Sequence, residues 1–521
     1  MSAENFITSQ VDYWPRRLLH VQADKLTSIK RSSQSKYRKI DAPRYNILSY
    51  TWGRWQTNNG EALPVQNVDW KVPPVKPEGF TVQAFHRVVN HVSEGCSHIW
   101  LDVACIDQEN EAVKMSEIGR QAAIFRRAKQ VYIWLSHSKK EVVEPVLNRL
   151  LDRATADAEH DRETVTSILR DIKIIFSDPW FGSLWALQES FLRPGAVLLF
   201  EDASAIDVRG VKGKKRPCSL YDLFSGCQRI SQALQYELQN SRGVLGSRGI
   251  EKATEAIQRL DDAGVRCTHF NNAISLYAVS TLRNPRDPLD RIYGIMQVFG
   301  LSLGKAAEPT KQFALDDLED QLGHALNKVC PVFAQNFVHL ADGRRHRSWY
   351  FHRKIRVLLE GRFTYTPKAY CEIAFDKTRD LARFRGPKTR FSSLCRMLTR
   401  HLGDRPLFEH VYFDSTTENR EKLPIDFTRP DSKPHVGNST NVIRNTLENA
   451  YGPRISVFLI GSLQGGNHPD QYAWVGVLAF PRQRSGKECW TRIGTCLWSL
   501  IKELMRNEVG ETFKNADVLL D

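Results

Sequence analysis

The segment that decides the fold of the first half of the chain is Ile99-Trp100-Leu101-Asp102-Val103-Ala104-Cys105-Ile106-Asp107-Gln108. It begins as an apolar strand, reaches Asp102, and continues into a short polar turn that ends at Asp107 and Gln108. Open α/β sheets use buried strands that end in carboxylates to place polar groups at a binding crevice. The segment therefore predicts a parallel sheet with a functional edge.

A companion segment about fifty residues earlier has the same pattern, an apolar strand followed by a polar and aromatic turn: Tyr45-Asn46-Ile47-Leu48-Ser49-Tyr50-Thr51-Trp52-Gly53. We predict four strands in this part of the chain, at 45–50, 98–102, 131–135 and 196–200. Apolar residues at helical spacing lie between them, over 85–92 and 115–128. Alternating strands and helices favour a parallel sheet with right-handed crossovers.

The pattern of the sequence divides the chain into four segments. We predict a basic N-terminal lead-in over 1–43, an α/β domain over 44–217, a helical extension over 218–330 and a mixed α+β region over 331–521. Asp178-Pro179 and Asp287-Pro288-Leu289-Asp290 are predicted helix starts, with an Asp as N-cap in each. Runs 455–460 and 473–480 are predicted strands, with a turn at Gly461–Gly466, and 490–505 is a strand or a helix.

Composition excludes several classes of protein. The chain has 521 residues and a net charge of +14, but its basic residues are dispersed and accompany no nucleic-acid-binding motif, so we do not expect nucleic-acid binding. Its ten Cys are irregularly spaced, which argues against a disulfide framework and against zinc. We find no secretory leader and no apolar run long enough to span a bilayer. We therefore expect a reducing compartment, cytosol or nucleus.

Common catalytic motifs are also missing from the sequence. It contains no HExxH metal motif, no GxSxG nucleophile turn, no GxxxxGK[ST] phosphate loop and no GxGxxG after a strand. His86 and His91 are five residues apart, which does not place them on one helix face.

The candidates that remain are carboxylates at the ends of elements. Asp102 closes a strand, Asp107 lies in the turn, and Glu189 follows Trp185 by four residues, so these two share a helix face. A carboxylate beside aromatic rings is partly desolvated, which raises its pKa and suits acid/base or cation-stabilising chemistry. The alternative is structural: Asp102 and Asp107 accept backbone hydrogen bonds, and Glu189 caps a helix or pairs with Arg193.

Taken in order, these segments resemble the fungal heterokaryon-incompatibility (HET) domain. The resemblance is carried by five motifs, namely 45–53, 99–108 (similar to the family's WIDxxCINQ), 118–135, 179–189 (similar to its tryptophan-rich WxxQE segment) and 283–294. Asp107 departs from the usual Asn, and Ser136 stands where Gly is usual. The final half matches only loosely, through 490–494.

The resemblance implies a TIR/flavodoxin-like parallel sheet for the HET domain, since HET domains are distantly similar to Toll/interleukin-receptor-like (TIR) domains. It implies a cytoplasmic role in fungal non-self recognition, in which the protein triggers growth arrest or programmed cell death through self-association or a protein partner. We expect no bound cofactor and no metal.

An alternative function follows from the same resemblance. Some TIR domains cleave NAD with one Glu in a SxWCxxE segment, and the matching stretch here is 183–189, so Glu189 is the catalytic candidate. NAD would then be a substrate, and the protein an NAD glycohydrolase. The resemblance places five further residues along the crevice as substrate-binding candidates: Ser49, Tyr50, Trp52, Asp102 and Trp185.

Overall fold

The computed structural model describes residues 14–521 except for 23–24, 53–55, 58, 61, 155–160, 210–212, 241, 266–272, 284, 286, 341–346, 353–354, 359–364, 377–380, 404–406, 415–439 and 466–471. The chain divides into two compact units, a first unit over residues 6–313 and a second unit over residues 314–521. No helix in the described part of the chain is long and apolar enough to cross a membrane.

The first unit is built on a nine-stranded mixed sheet and a separate two-stranded hairpin. The strands are β1 (Arg17–Gln22), β2 (Lys25–Ser33), β3 (Lys36–Tyr37), β4 (Ile40–Asp41), β5 (Asn46–Ser49), β6 (Val65–Gln66), β7 (His98–Trp100), β8 (Gln130–Trp134) and β9 (Val197–Leu199), with β10 (Asp207–Arg209) and β11 (Lys215–Pro217) in the hairpin.

Four adjacent strands of this sheet are parallel and lie in the order β7-β5-β8-β9, with β9 at the edge. These are the four strands predicted from the sequence. The sheet as a whole is mixed, not parallel as predicted, because β1 pairs antiparallel with β7 and extends the sheet through β2, β3 and β4. The segment described as a basic lead-in thus supplies strands, in which the apolar residues Leu18, Leu26 and Ile29 are buried.

Helices connect and flank the strands of the first unit. They are α1 (Val82–Ser93), α2 (Asp102–Cys105), α3 (Glu111–Ile118), α4 (Gln121–Arg127), α5 (Lys140–Arg153), α6 (Arg162–Ile175), α7 (Pro179–Gly182), α8 (Leu184–Leu192), α9 (Leu220–Asn240), α10 (Arg242–Asp262), α11 (Ala273–Ser280) and α12 (Asp290–Tyr293), followed by 3-10 turns at Met296–Phe299 and Gly304–Ala306.

The apolar stripe predicted over 85–92 is the buried face of α1, and the Thr81 hydroxyl accepts a hydrogen bond from the Ala84 amide to cap this helix.

The second unit contains an eight-stranded sheet that closes on itself. Its strands are β14 (Tyr365–Ala369), β15 (Glu372–Asp376), β16 (Leu381–Arg390), β17 (His410–Phe413), β18 (Ser456–Gly465), β19 (Tyr472–Arg484), β20 (Lys487–Ser499) and β21 (Lys514–Leu520), beside a small pair, β12 (Phe337–His339) and β13 (Ile355–Val357). The ring closes because β16 pairs with both β21 and β18. Five helices accompany it: α13 (Leu315–Val329), α14 (Pro331–Ala334), α15 (Phe391–Leu402), α16 (Thr440–Tyr451) and α17 (Lys502–Glu511).

One prediction for the second unit, the glycine-rich turn, is wrong. The glycine-rich stretch 461–465 continues β18 and is not a turn, while residue 466 lies outside the described residues. Gly461 sits at a register shift, and a Cβ there would lie 2.2 Å from the Lys368 carbonyl oxygen of the neighbouring strand. The glycine serves close strand approach here. The segment 490–505 is both a strand and the start of a helix, β20 and α17.

Candidate functional site

Ser49 and Glu189 meet at the carboxyl edge of the parallel strands. Ser49 is the last residue of β5, and its hydroxyl donates a hydrogen bond to Oε2 of Glu189 on α8. The same hydroxyl oxygen accepts a hydrogen bond of 2.8 Å from Nε1 of Trp180. Ser49 is 2% exposed, so its hydroxyl is committed to these two partners.

The loop after β8 holds the short helix that leads to Glu189. Asp178 caps α7 by accepting from the Trp180 amide at 3.0 Å. Its other oxygen accepts from the His137 amide at 3.0 Å and from the Ser138 hydroxyl at 3.2 Å. The Asp178-Pro179 helix start predicted from the sequence is therefore confirmed. The cap also ties this helix to the end of the sheet.

Glu189 has an unusual affinity for protons. Burial raises its pKa from 4.5 to about 8; the hydrogen bond from Ser49 opposes the rise, and the nearby charge of Asp102 adds to it. The carboxyl group is accordingly mostly protonated at neutral pH. A cation entering the site would favour the ionised form.

A second hydrogen-bonded pair lies on the neighbouring strand ends. The Tyr50 hydroxyl donates to Oδ1 of Asp102 at 2.8 Å, and the Val103 amide donates to the same oxygen at 2.8 Å. Burial raises the pKa of Asp102, and burial together with the Asp102 charge raises that of Tyr50. The pair Tyr50–Asp102 and the pair Ser49–Glu189 thus form one cluster of coupled polar groups.

Trp52 belongs to an aromatic cluster next to these pairs. Its ring stands edge-on to Tyr50, with centroids 5.8 Å apart, and packs on the rings of Phe80 and Phe85 at 5.7 and 5.6 Å. Trp134, the last residue of β8, closes the cluster against Phe80 at 4.9 Å. The Trp52 indole N–H is buried and finds no hydrogen-bond partner among the described residues. Residues 53–55 of the first motif lie outside the described part of the chain.

Trp185, the remaining substrate-binding candidate, is half-buried one helical turn before Glu189. Its indole N–H donates to Oδ2 of Asp290 at 3.4 Å. The structure thus brings four candidates into two hydrogen-bonded pairs with Trp52 packed beside them, and it gives Trp185 a partner outside the candidate set. The catalytic and substrate-binding roles remain predictions.

The backbone hydrogen bonds of the structural alternative are present for both Asp102, which accepts from the Val103 amide, and Asp107, whereas the pairing of Glu189 with Arg193 is absent. Asp107 accepts from the amides of Glu109 and Asn110, both at 3.0 Å, and so organises the turn before α3. Arg193 donates instead to main-chain carbonyls, including those of Phe125 and Ala128 at 3.0 and 2.9 Å. It does not pair with Glu189 in the structure.

Cys105 lies in the same turn but is unsuited to nucleophilic chemistry. It is 2% exposed, and burial raises the pKa of its thiol to about 12. Across the described residues, no group of three or more His, Cys, Asp or Glu side chains is arranged to hold a metal ion.

Sequence reasoning missed Trp180, Asp178 and Asp290 as parts of this site. All three stand in segments that were singled out as motifs or helix starts. No sequence pattern indicates that Trp180 donates to Ser49, that Asp178 accepts from the loop after β8, or that Asp290 accepts from Trp185.

Residues 45–189 match the family model of the Heterokaryon incompatibility protein (HET). The match begins at the strand that carries Ser49 and ends at Glu189, and it confirms the resemblance for this part of the chain. Neither the search of curated proteins nor the search of solved structures gave a match.

Proposed function

We propose, on the premise that residues 45–189 form a HET domain, that this protein acts in heterokaryon-incompatibility-type recognition. The observation that carries the proposal is the family match itself, together with the fact that its span contains both hydrogen-bonded pairs of the candidate site. The output we propose is growth arrest or cell death in a fungal cytoplasm, produced through self-association or contact with a protein partner.

Inducible expression in a fungal host tests this function. We expect induction of the full chain to stop growth, and we expect an oligomer to be detectable by light scattering under the same conditions. Normal growth at high expression of folded protein would contradict the proposed output. A strictly monomeric protein that still stops growth would contradict self-association. Contact with a protein partner would then be the remaining explanation of the growth arrest.

The strand order supports a TIR/flavodoxin-like sheet. Numbered by their order in the chain, the four parallel strands lie as 2-1-3-4, and flavodoxin-like sheets have the order 2-1-3-4-5. In such sheets ligands bind beyond the carboxyl ends of the strands, where the strand order reverses. Ser49 ends the strand at that point, between β7 and β8.

A second candidate function is cleavage of NAD, favoured by the placement of Glu189. The nicotinamide–ribose bond would break with its electron pair passing to the pyridinium nitrogen, so nicotinamide leaves neutral. Glu189, ionised by the approaching pyridinium charge and held by Ser49, would stabilise the oxocarbenium ion until water adds to it. The water proton would pass to solvent, which gives ADP-ribose.

Nicotinamide release from the purified full chain tests this second function. We expect release by wild type under assembling conditions and loss of at least about a hundredfold in Glu189→Gln. Glu141→Gln is a matched control, because Glu141 is exposed on α5. Absence of release under every assembly condition would overturn the enzymatic proposal. Growth arrest that survives in Glu189→Gln would show that the two functions are separate.

A further inference from the structure

A segment outside the family match holds the helix that carries Glu189. We call residues 283–294 the brace; of these, 284 and 286 are not described. Arg283 is 5% exposed, and its guanidinium donates to the main-chain carbonyls of Phe181 and Ser183, the latter at 3.1 Å. These carbonyls stand at the junction between α7 and α8.

The junction itself lacks regular helical hydrogen bonding. Ser183 has extended backbone angles, φ −78° and ψ 135°, so α7 ends before it and α8 begins after it. The last carbonyls of a helix have no partner within that helix, and Phe181 lies in the last turn of α7. Arg283 supplies a donor to the Phe181 carbonyl and links it to the Ser183 carbonyl at the start of α8.

The brace makes two further contacts with the first turn of α8. Oδ2 of Asp290 accepts from the Trp185 indole N–H, one turn before Glu189. Gly294 approaches Leu184 so closely that a Cβ at position 294 would lie 3.3 Å from Leu184 Cγ. Consecutive residues 183, 184 and 185 are therefore each held by a different residue of the brace.

We propose that the brace positions Glu189, with Arg283 and Asp290 acting as positioning residues that hold α8 against Ser49. The functional consequence of this inference rests on the proposed role of Glu189. The structural part does not, because it concerns only the local stability of α8.

Hydrogen–deuterium exchange on the full chain tests the inference. In Asp290→Ala we expect amides within 184–189 to exchange at least about tenfold faster, since the hydrogen bond to a charged acceptor is lost. Asp290→Asn keeps an acceptor oxygen and is expected to restore slow exchange. Glu308→Gln is the matched control, because it removes an exposed carboxylate charge outside the brace; exchange within 184–189 should be unchanged in this variant.

Trp185→Phe provides an independent variant if Asp290→Ala fails to fold. It removes the indole N–H, leaves Asp290 in place, and is expected to accelerate exchange in the same helix. Unchanged exchange in 184–189 in the folded variant would overturn the inference.

Growth arrest measured in the same variants separates the two proposals. Faster exchange in Asp290→Ala combined with no effect of Glu189→Gln on growth arrest or nicotinamide release would sustain the brace and remove the role of Glu189. The opposite result is loss of function in Glu189→Gln together with slow exchange and full function in Asp290→Ala. It would sustain the role of Glu189 and overturn the brace.

Discussion

Ser49 and Glu189 are 140 residues apart in the chain, and their side chains are hydrogen-bonded to each other. The serine ends a central strand, and the glutamate lies on α8, which follows the short helix α7 that Asp178 ties to the loop after β8. This hydrogen bond stabilises the ionised form of Glu189 while burial opposes ionisation. The proton affinity of the site therefore depends on a contact that only the folded chain can make.

Replacing Ser49 by Ala should destabilise the first unit and raise the pKa of Glu189 further. The Trp180 indole N–H would lose its acceptor inside the protein, and a buried unsatisfied donor costs about 1–3 kcal/mol. Urea unfolding at pH 7 measures the free-energy loss. Ser204→Ala, in an exposed turn, is the control and should cost less than about 1 kcal/mol. Equal losses of unfolding free energy in the two variants would contradict the argument that the Ser49 hydroxyl stabilises the first unit.

The pH dependence of stability should reveal Glu189. Its pKa is about 8 in the folded chain against 4.5 for an ordinary glutamate, so the folded state binds more protons than the unfolded state between these values. The stabilisation is complete below pH 4.5 and is lost as the pH rises through 8. We expect a loss of about 2–4 kcal/mol across this window, which is less than the full pKa difference would give, because residue Glu189 is half-buried.

Glu189→Gln isolates this effect from other titrating groups. Burial raises the pKa of Asp290 to about 6 and also raises the pKa of Asp102, and both groups are present in both proteins. The difference between the wild-type and Gln curves of unfolding free energy against pH should therefore slope downward from pH 4.5 to 8. Parallel curves would mean that Glu189 titrates normally.

Much of the framework of the first unit was predictable from the sequence. Continuous apolar runs predicted the four parallel strands, and Asp178-Pro179 predicted a helix start, because these depend on local periodicity and capping chemistry. The candidate residues at strand ends follow from the same logic, since parallel strands bring their carboxyl ends to one edge.

What could not be predicted depends on contacts between distant residues. Residues 17–41 have a polar and charged composition that does not predict strands. No local pattern shows that β1 pairs with β7. Trp185 donates to Asp290, 105 residues away. Tertiary packing determines which partner a side chain bonds to, and residue spacing in the sequence carries no information about that partner.

Tyr50→Phe should weaken the second pair of the site. Asp102 would lose the hydroxyl donor that lowers its pKa, so its pKa should rise, and the unfolding free energy should fall by about 1–2 kcal/mol. Tyr132→Phe is a suitable control, because among the described residues the Tyr132 hydroxyl makes no side-chain hydrogen bond and the ring is also half-buried. Denaturation of both variants at pH 7 gives the comparison; a larger loss in Tyr132→Phe would contradict the pairing.

Arg492 should be the most sensitive position of the second unit. Its guanidinium is fully buried and donates to Asp414 at 3.2 Å, to Gln335 at 3.0 Å and to Thr495 at 2.9 Å. Arg492→Met would leave the Asp414 carboxylate buried without its cation, at a cost of about 3–5 kcal/mol. The double variant with Asp414→Asn should lose less than the single one. Urea unfolding monitored in the second unit by hydrogen exchange tests both, and a greater loss in the double variant would contradict the argument.

Gly461→Ala tests why a glycine interrupts an otherwise apolar strand. A Cβ at this position would lie 2.2 Å from the Lys368 carbonyl oxygen and 2.5 Å from a Val332 methyl group. The first neighbour is main chain in a paired strand, so relief requires β14 to separate from β18. We expect a loss of about 2–4 kcal/mol in the unfolding free energy of the second unit. Gly195→Ala, which meets no atom within 4 Å, should be tolerated. A Gly461→Ala protein as stable as wild type would show that β14 and β18 do not approach this closely at position 461.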